Sequence, residues 1–205
     1  MYLCFLPFLF SKYIKKGFLK MSLLEIEGLT HSFGENLLYK NAGFTLNKGE
    51  HIGIVGQNGT GKSTLIKICT EQIIPDSGRI VWQPNTTIGY LDQYAEIDHT
   101  LTMKEFLKSA FTKLFEMEAQ ALQLYEKAAD GDMKSLELAA RYQEQLEAHD
   151  FYSIDTAIDR VANGLGLLAI GLDRPIAEMS GGQRAKVILA KLLLEKPDVL
   201  LLDEP

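Results

Sequence analysis

Apolar and polar residues alternate along the N-terminal part of the chain with the two-residue period of β-strands. Leu23 to Leu29 places acidic side chains between apolar ones, which predicts a half-exposed strand, and a second strand is expected near Ala42 to Leu46. Arg79 to Trp82 and Ile88 to Leu91 predict two more strands. The first two strands indicate an antiparallel sheet at the start of the fold.

Two uninterrupted apolar runs predict further strands. Ile52 to Val55 is expected to be a strand that leads into a glycine-rich loop. Val199 to Leu202 has no polar residue at all, which is typical of a strand buried on both faces of a parallel sheet. These two runs predict the parallel part of an α/β fold.

Helical spacing of apolar residues appears in the segments between these strands. Ser63 to Ile73 predicts a helix that stops before Pro75. Phe151 to Leu168 predicts a helix followed by a turn, and a further helix is expected to run to about Glu195.

The segment from Leu101 to His149 is charged and also has helical spacing. Asp130-Gly131-Asp132 interrupts the spacing, so two helices that form a hairpin are predicted. The apolar positions of the predicted stripes are Leu114, Met117, Ala121, Leu124, Tyr125, Ala128, Leu138, Ala139, Tyr142 and Leu146. Acidic residues outnumber basic ones here, which disfavours RNA binding along the whole face. A solvated insertion and a docking arm for a large partner both remain open.

Gly56 to Thr64 reads Gly-Gln-Asn-Gly-Thr-Gly-Lys-Ser-Thr and matches the P-loop pattern G-x-x-x-x-G-K-[ST]. Its glycines let the backbone turn N–H groups toward phosphate oxygens, and Lys62 adds a positive charge. The helix that begins there points its N-terminal dipole at the same anion, and Ser63 can ligate magnesium. We therefore predict a nucleotide site. Its candidate contacts are Gly56, Asn58, Gly59, Gly61, Lys62, Ser63 and Thr64.

A second candidate anion site opens the helix near the C-terminus. Two glycines leave backbone N–H groups bare at the positive end of the helix dipole, and a serine hydroxyl precedes them. Its candidate residues are Ser180, Gly181, Gly182 and Gln183.

An acidic pair, Asp203 and Glu204, follows the apolar run Val199 to Leu202. The C-terminal end of a parallel strand is where phosphate and metal bind in α/β sheets. Because two adjacent carboxylates near a phosphate repel each other unless a cation lies between them, we assign Asp203 to the magnesium side. Glu204 is the candidate base for the attacking water.

Composition bears on the class of protein and on its cellular compartment. The net charge is −6, and because the first twenty residues hold four lysines and no acid, the rest of the chain carries −10, which disfavours a broadly basic nucleic-acid surface. Two distant cysteines give neither a disulfide framework nor a metal spacing, in keeping with a reducing cytoplasm. No apolar run approaches the length of a membrane helix.

Residues 1–20 have an apolar first half and a basic second half, the reverse of a signal peptide. Met21 opens a cleaner start, so we expect residues 1–20 to be an upstream extension outside the fold. A weak interfacial anchor of the amphipathic kind is the alternative. The folded domain is expected to span residues 21–205.

In order along the chain, the P-loop, a glutamine after a strand (Gln93), Ser-Gly-Gly-Gln and Leu-Leu-Leu-Asp-Glu-Pro resemble the nucleotide-binding domain of ATP-binding cassette (ABC) proteins. The resemblance covers Leu23 to Pro205. The Ser-Gly-Gly-Gln motif is called the signature, and Met179 stands directly before it, where the family usually has leucine. The resemblance implies an α/β P-loop NTPase (RecA-like) fold with a parallel-sheet core, an antiparallel β-subdomain and an α-helical insertion at about residues 100–165.

The resemblance also implies ATP and Mg²⁺ as ligands and assigns roles to single residues. Phe33 would stack on the adenine ring, and Gln93 would contact the magnesium ion and the attacking water. Catalysis would rest on Glu204, Gln93 and Lys62, and the metal would be held by Ser63, Gln93 and Asp203.

In this family two domains close on two ATP molecules, the P-loop of one facing the signature of the other. The resemblance therefore implies a second ABC nucleotide-binding domain as partner, in the same longer chain or in a homodimer. The family's switch histidine would lie beyond Pro205, so we expect the chain to be part of a longer protein.

Within the class, the helical insertion and the lack of a membrane segment are similar to the ABC-F group. That likeness implies an ATPase that acts on ribosomes, in contact with RNA, with no direct membrane insertion and a cytoplasmic location. Two alternatives stay open: the ATP-binding subunit of a membrane transporter, and a nucleotide-binding module without turnover.

Overall fold

The computed structural model describes residues 22–91, 98 and 100–203. The predictions made for residues 1–20, Gln93 and Glu204 lie outside the described residues. The described chain divides into two compact units. Residues 22–53 and 76–83 form what we call the sheet unit, and residues 54–75, 84–91, 98 and 100–203 form the helical unit.

The sheet unit is a three-stranded antiparallel sheet in the order β2-β1-β3. Its strands are β1 (Ser22–Phe33), β2 (Asn36–Asn47) and β3 (Ser77–Trp82). The alternation that predicted β1 places Leu24, Ile26 and Leu29 in the buried interior. The predicted antiparallel subdomain is therefore confirmed, with β1 and β2 longer than expected.

The central strand β1 is irregular in its second half. Its pairing shifts register between Ile26 and Leu29 on the β2 side, and Gly28 has a positive φ of 62°. On the β3 side, a Cβ at Gly78 would lie 2.7 Å from the Leu29 backbone, so only glycine fits there. The bulge redirects the end of β1, which carries Phe33.

The helical unit contains six α-helices and a pair of parallel strands among its described residues. The helices are α1 (Lys62–Cys69), α2 (Met103–Lys108), α3 (Thr112–Ala129), α4 (Met133–Ala148), α5 (Ile154–Gly164) and α6 (Gly181–Glu195). The strands are β4 (Ile88–Leu91) and β5 (Val199–Leu202), paired in parallel. The predicted α/β fold class is confirmed.

The core of the helical unit lies between α2, α5 and α6, which contact one another pairwise. Its largest fully buried side chains are Met103, Leu107, Leu146, Ile158, Leu167, Ile176 and Val187. Lys104 and Lys108 on α2 both lie within 4 Å of the Asp155 carboxylate on α5, at 3.6 and 3.2 Å from Oδ1. Ile176 is one of the buried side chains, so the segment before α6 is tied to this core.

The predicted hairpin is formed by α3 and α4, which separate at Asp130-Gly131-Asp132 as expected. Two positions assigned to its apolar stripe are wrong, because Tyr125 and Leu138 are exposed. Tyr125 lies one residue after Leu124, a rotation of about 100° around the helix, and so falls off the contact face.

Helix α1 is shorter than predicted, because it ends at Cys69 instead of Ile73. Glu71 adopts a positive φ of 61°, and the Gln72 N–H donates to the Lys67 carbonyl at 2.8 Å. This left-handed closure ends the helix before Pro75 is reached. Burial raises the pKa of the Cys69 thiol to about 11, in keeping with a packing role.

Two expectations about strands are wrong. Ile52 to Val55 is not a strand, and Val55 is 85% exposed, because none of the described strands pairs with this segment. Leu202 of β5 is also exposed rather than buried on both faces. Because β4 is the only described strand that pairs with β5, the parallel sheet gives β5 less cover than a wider sheet would.

Candidate nucleotide-binding site

The P-loop forms a tight turn directly before α1. Gly59 and Gly61 have φ of 81° and 97°, values that side chains with a Cβ rarely adopt. The Thr60 hydroxyl donates to the Gln57 carbonyl at 2.9 Å. A Cβ at Gly56 would lie 2.7 Å from that hydroxyl oxygen, so glycine keeps the turn closed. The sequence pattern and the local conformation therefore agree at each glycine.

Lys62 is the first residue of α1, and its side chain folds back across the loop. Its ammonium group donates to the carbonyls of Gly56 and Gln57, both at 3.0 Å. The positive charge is thereby held against the loop backbone at Gly56 and Gln57. A phosphate oxygen is a stronger acceptor for an ammonium group than a neutral carbonyl.

Among the described residues no side chain caps the start of α1, whose N-cap residue is Gly61. The backbone N–H groups of a helix's first turn have no acceptor within the helix and are suited to bind an anion. Ser63 in this turn is exposed, and Asn58 and Gly59 are exposed on the loop. The predicted loop residues are brought together in one turn, Thr64 included.

The signature residues form the N-terminus of α6. The Ser180 hydroxyl accepts the Gln183 N–H at 3.3 Å, and the Gln183 side-chain oxygen accepts the Ser180 N–H at 2.9 Å, a reciprocal capping box. Gly181 and Gly182 are exposed, and a Cβ at either would meet nothing within 4 Å. The two glycines present an open backbone surface.

Two arginines that the sequence reasoning missed hold the turn before the signature. Arg184 donates to the Met179 carbonyl at 2.8 Å, and Arg174 donates to the Glu178 carbonyl at 3.2 Å. Met179 itself is buried. The only signal in the sequence was that Arg184 directly follows the motif.

The candidate metal residues are placed only in part. Asp203 directly follows β5 and is half-buried. In the parallel register Leu91 lies opposite Leu202, so the strands that lead toward Gln93 and Glu204 end side by side. The hydroxyl of Ser63 and the carboxylate of Asp203 are hard oxygen donors of the kind that Mg²⁺ prefers.

Phe33 lies in the sheet unit, at the end of β1, and its side chain is 53% exposed. The ring packs edge-on against His31, with the ring centroids 5.0 Å apart. Asp76, which precedes β3, accepts two hydrogen bonds from Ser32. Neither His31 nor Asp76 was singled out from the sequence.

In the part of the chain that the structure describes, we find no helix that is both long and apolar enough for a membrane span.

Comparison with solved structures identifies the class of fold. A structure described as the ATP-binding subunit of an ABC transporter superposes with a TM-score of 0.61, covering 89% of this chain and 66% of that one at 22% sequence identity. At this level of identity the likeness shows the fold, which is that of ABC ATPase domains.

The profile of the family described as ABC transporter matches residues 39–205, and the chain belongs to that family. It is 46% identical over 189 residues to the uncharacterized ABC transporter ATP-binding protein YfmM of Bacillus subtilis, covering 90% of this chain and 36% of that protein. It is 33% identical over 190 residues to ABC transporter F family member 5 of Arabidopsis thaliana, covering 89% and 27%.

A third relative carries a functional name. The energy-dependent translational throttle protein EttA of Escherichia coli K12 is 37% identical over 171 residues, covering 82% of this chain and 30% of EttA. The similarity to ABC-F proteins expected from the sequence is thus confirmed. The chain spans about a third of the length of the curated relatives it matches.

Proposed function

We propose that this chain binds ATP with Mg²⁺ through the P-loop. The observation that carries the proposal is the position of Lys62, whose ammonium group lies across a glycine turn at the uncapped start of α1. Gly59 and Gly61 shape that turn. Phosphates of the nucleotide would bind the backbone N–H groups of the turn and the Lys62 ammonium, and Ser63 with Asp203 would hold the metal.

ATP would be hydrolysed when the chain is paired with a second ABC nucleotide-binding domain. Gly181 and Gly182 at the exposed start of α6 offer N–H groups that could contact the phosphate of a nucleotide bound to the partner. Magnesium would neutralise the developing phosphate charge. Glu204 would take the proton of the attacking water, and Gln93 would orient that water.

We place this ATPase in the cytoplasm and in translation, on the ribosome. The similarity to EttA and to an ABC-F protein supports this setting, and the α3–α4 hairpin is the candidate ribosome-facing arm. Its apolar contact face is narrow, so the remaining surface of both helices is open to a partner.

The second candidate is the ATP-binding subunit of a membrane transporter. The family description and the transporter subunit with the same fold favour it. Fractionation of cells that express the tagged chain distinguishes the two settings. A ribosome-bound ATPase should sediment with ribosomes, whereas a transporter subunit should be found in the membrane fraction. Ribosome association that persists unchanged at high salt would argue against contacts with RNA phosphates.

Titration calorimetry of the chain with Mg²⁺-ATP tests the proposed binding site. We expect Lys62→Ala to weaken binding at least about tenfold, since hydrogen bonds to a charged group contribute about 1.5–3 kcal/mol. Lys67→Ala is the matched control, because Lys67 lies in the last turn of the same helix. ATP affinity unaffected by Lys62→Ala would rule out the P-loop as the site.

A further inference from the structure

The α3–α4 hairpin is acidic overall, but its charges are not spread evenly around it. From Thr112 to Ala148 it holds eight acidic residues and four basic ones. The basic residues are Lys113, Lys127, Lys134 and Arg141, and all four are exposed. Their spacing along the two helices determines the side of the hairpin on which they lie.

On α3 the position of the lysines follows from the helical repeat. Ala121 is the buried residue of α3 and marks the face that packs against α4. Lys113 precedes it by eight residues and Lys127 follows it by six. At about 100° per residue they lie about 80° and 120° from Ala121, rotated in the same direction. Leu122 and Tyr125 are rotated in the opposite direction, so the lysines share one flank of α3.

The basic residues of α4 lie on the same side of the hairpin. The face of α4 toward α3 is marked by its buried residues, Ser135, Ala139 and Leu146. Lys134 and Arg141 lie about 120° and 140° from the centre of that face, rotated in the same direction as the lysines of α3. Because the two helices of a hairpin run antiparallel, rotation in the same direction leads to the same broad side of the pair. We call it the basic side.

The positive charge of the basic side is little compensated. Glu116 lies on this side, and Glu137, on the back of α4, reaches it by accepting a hydrogen bond from Arg141 at 2.9 Å. Arg141 is the only one of the four basic residues that forms an ion pair with a described residue. Since exposed pairs of this kind are weak, the guanidinium can exchange its carboxylate for another anion.

The opposite side of the hairpin is partly covered by the chain itself. There the Gln143 amide donates to the Tyr152 hydroxyl at 2.7 Å, so the segment that follows α4 lies against this side. In contrast, none of the described residues outside the hairpin forms a hydrogen bond or an ion pair with the four basic side chains. The basic side is therefore the one that is open to a partner.

We propose that the basic side of the hairpin binds the phosphate backbone of RNA. The inference deepens the proposed setting on the ribosome and rests on it, because it names the surface and the chemistry of that contact. Charge complementarity carries it, since ammonium and guanidinium groups bind phosphate oxygens strongly. Gln120 and Gln145 lie on the same side, and their amides can donate to phosphate or sugar oxygens.

An anionic membrane surface would attract the same four charges, but it fits the hairpin less well. A helix that lies on a membrane presents a broad apolar face next to its basic residues. On the basic side of α3 and α4 only Leu138 is a large exposed apolar residue, whereas Leu122, Tyr125 and Leu136 lie on the opposite side. RNA needs no apolar contact with the hairpin and is therefore favoured.

Two fourfold variants of the full chain, with equal loss of positive charge, test the proposal. The basic-side variant carries Lys113→Gln, Lys127→Gln, Lys134→Gln and Arg141→Gln. The control variant replaces four exposed basic residues outside the hairpin, by Lys40→Gln, Lys48→Gln, Arg160→Gln and Lys196→Gln. Glutamine is a good helix former, so α3 and α4 should persist, and circular dichroism with urea unfolding checks this.

The probes are an RNA duplex and salt-washed ribosomes, each titrated over a range of salt concentrations. We expect the basic-side variant to bind the duplex at least about tenfold more weakly than wild type. Its salt dependence should be shallower by about 3 in log affinity against log salt, since each lost phosphate contact removes close to 0.9. Ribosome binding should weaken in the same way. The control variant should stay within about twofold of wild type, and neither variant should change the affinity for Mg²⁺-ATP.

The outcomes separate this proposal from the ribosome setting. Wild-type affinity of the basic-side variant for both probes, or an equal loss in the control variant, would overturn the basic side. The ribosome setting would still stand if wild type bound ribosomes. A wild-type chain that bound neither probe would overturn both.

Other partners would give different results, and each would overturn RNA binding by the basic side. Ribosome binding that is kept in the basic-side variant but lost in Leu122→Gln with Leu136→Gln would assign the contact to a protein on the opposite side. Binding to phosphatidylserine vesicles without binding to the duplex or to ribosomes, and lost in the basic-side variant, would assign the basic side to a membrane surface.

Discussion

The Ser180 hydroxyl has two roles, one in the stability of α6 and one in the proposed nucleotide contact. Within the chain it accepts the Gln183 N–H and so caps α6. In the proposed pairing the same residue faces the phosphate of a partner's nucleotide. Because aspartate is as good an N-cap as serine but carries a negative charge, the two roles can be separated by substitution.

We expect Ser180→Ala to lower the free energy of unfolding by about 1 kcal/mol, the usual effect of losing an N-cap side chain. Ser180→Asp should keep the stability and abolish ATP turnover, since its carboxylate would repel the partner's phosphate. Urea unfolding and a phosphate-release assay on the two variants measure this. Wild-type turnover by Ser180→Asp would exclude Ser180 from the proposed contact.

Asp132 makes the stability of the hairpin depend on pH. The pKa of its carboxyl group is lowered chiefly by the hydrogen bond from the Ser135 hydroxyl, assisted by the backbone N–H groups of Ser135 and Lys134 at the start of α4. Because the pKa is lower in the folded state, the ionised carboxylate stabilises the fold at pH values above the pKa of an unfolded aspartate, about 3.9. This contribution is lost as pH falls below that value.

The prediction is that Asp132→Asn flattens the acid side of the stability profile below about pH 5. Asparagine still caps a helix, so the loss of stability at neutral pH should be small. The urea midpoint, followed from pH 7 down to pH 3, measures the effect, with Asp130→Asn as the neighbouring control. An acid slope equal to that of wild type would exclude Asp132 as its source.

At the scale of elements, the spacing of apolar residues predicted most helices and strands. It failed where a strand depends on hydrogen-bond pairing with a distant neighbour. The break at Asp130-Gly131-Asp132 and the bounds of β4 follow from local residue preferences, which act within a few positions. The segment Ile52 to Val55 has an apolar strand pattern, yet a strand also needs a neighbour to receive its hydrogen bonds. Local sequence carries no information on that neighbour.

Ile158 on α5 tests how much the core between α2, α5 and α6 contributes. It is fully buried, so Ile158→Ala should cost about 2–5 kcal/mol through lost burial and the cavity left behind. Leu122→Ala on the exposed side of α3 should stay within about 0.5 kcal/mol. Urea unfolding of both variants gives the comparison, and similar costs at the two positions would contradict this view of the core.

At the scale of the whole molecule, a group of residues could be predicted from the sequence only where its members lie close together along the chain. The P-loop and the signature each occupy a few consecutive residues, so the pattern of glycine, lysine and serine was enough to find them. Ser32 and Asp76 are 44 positions apart, and only the antiparallel pairing of β1 with β3 brings them together. Pairing of this kind is set by the fold and leaves no local pattern.

The proposed pairing of two nucleotide-binding domains predicts which activities of the chain depend on a partner. The chain covers about a third of each curated relative, and it contains one P-loop and one signature. If the two motifs act on different nucleotides, each active site needs residues from two domains. ATP turnover should therefore depend on pairing, whereas ATP binding should not.

Turnover measured over a range of chain concentrations tests this dependence together with the role of Glu204. The rate per chain should rise with concentration as pairs form, and Glu204→Gln should lower it at least about 100-fold, the usual contribution of a general base. ATP affinity should be retained, because the carboxamide has the shape of the carboxylate. Glu195→Gln, at the end of α6, is the control for loss of a charge. A rate per chain that is independent of concentration would contradict shared active sites, and full activity of Glu204→Gln would assign the base to another residue.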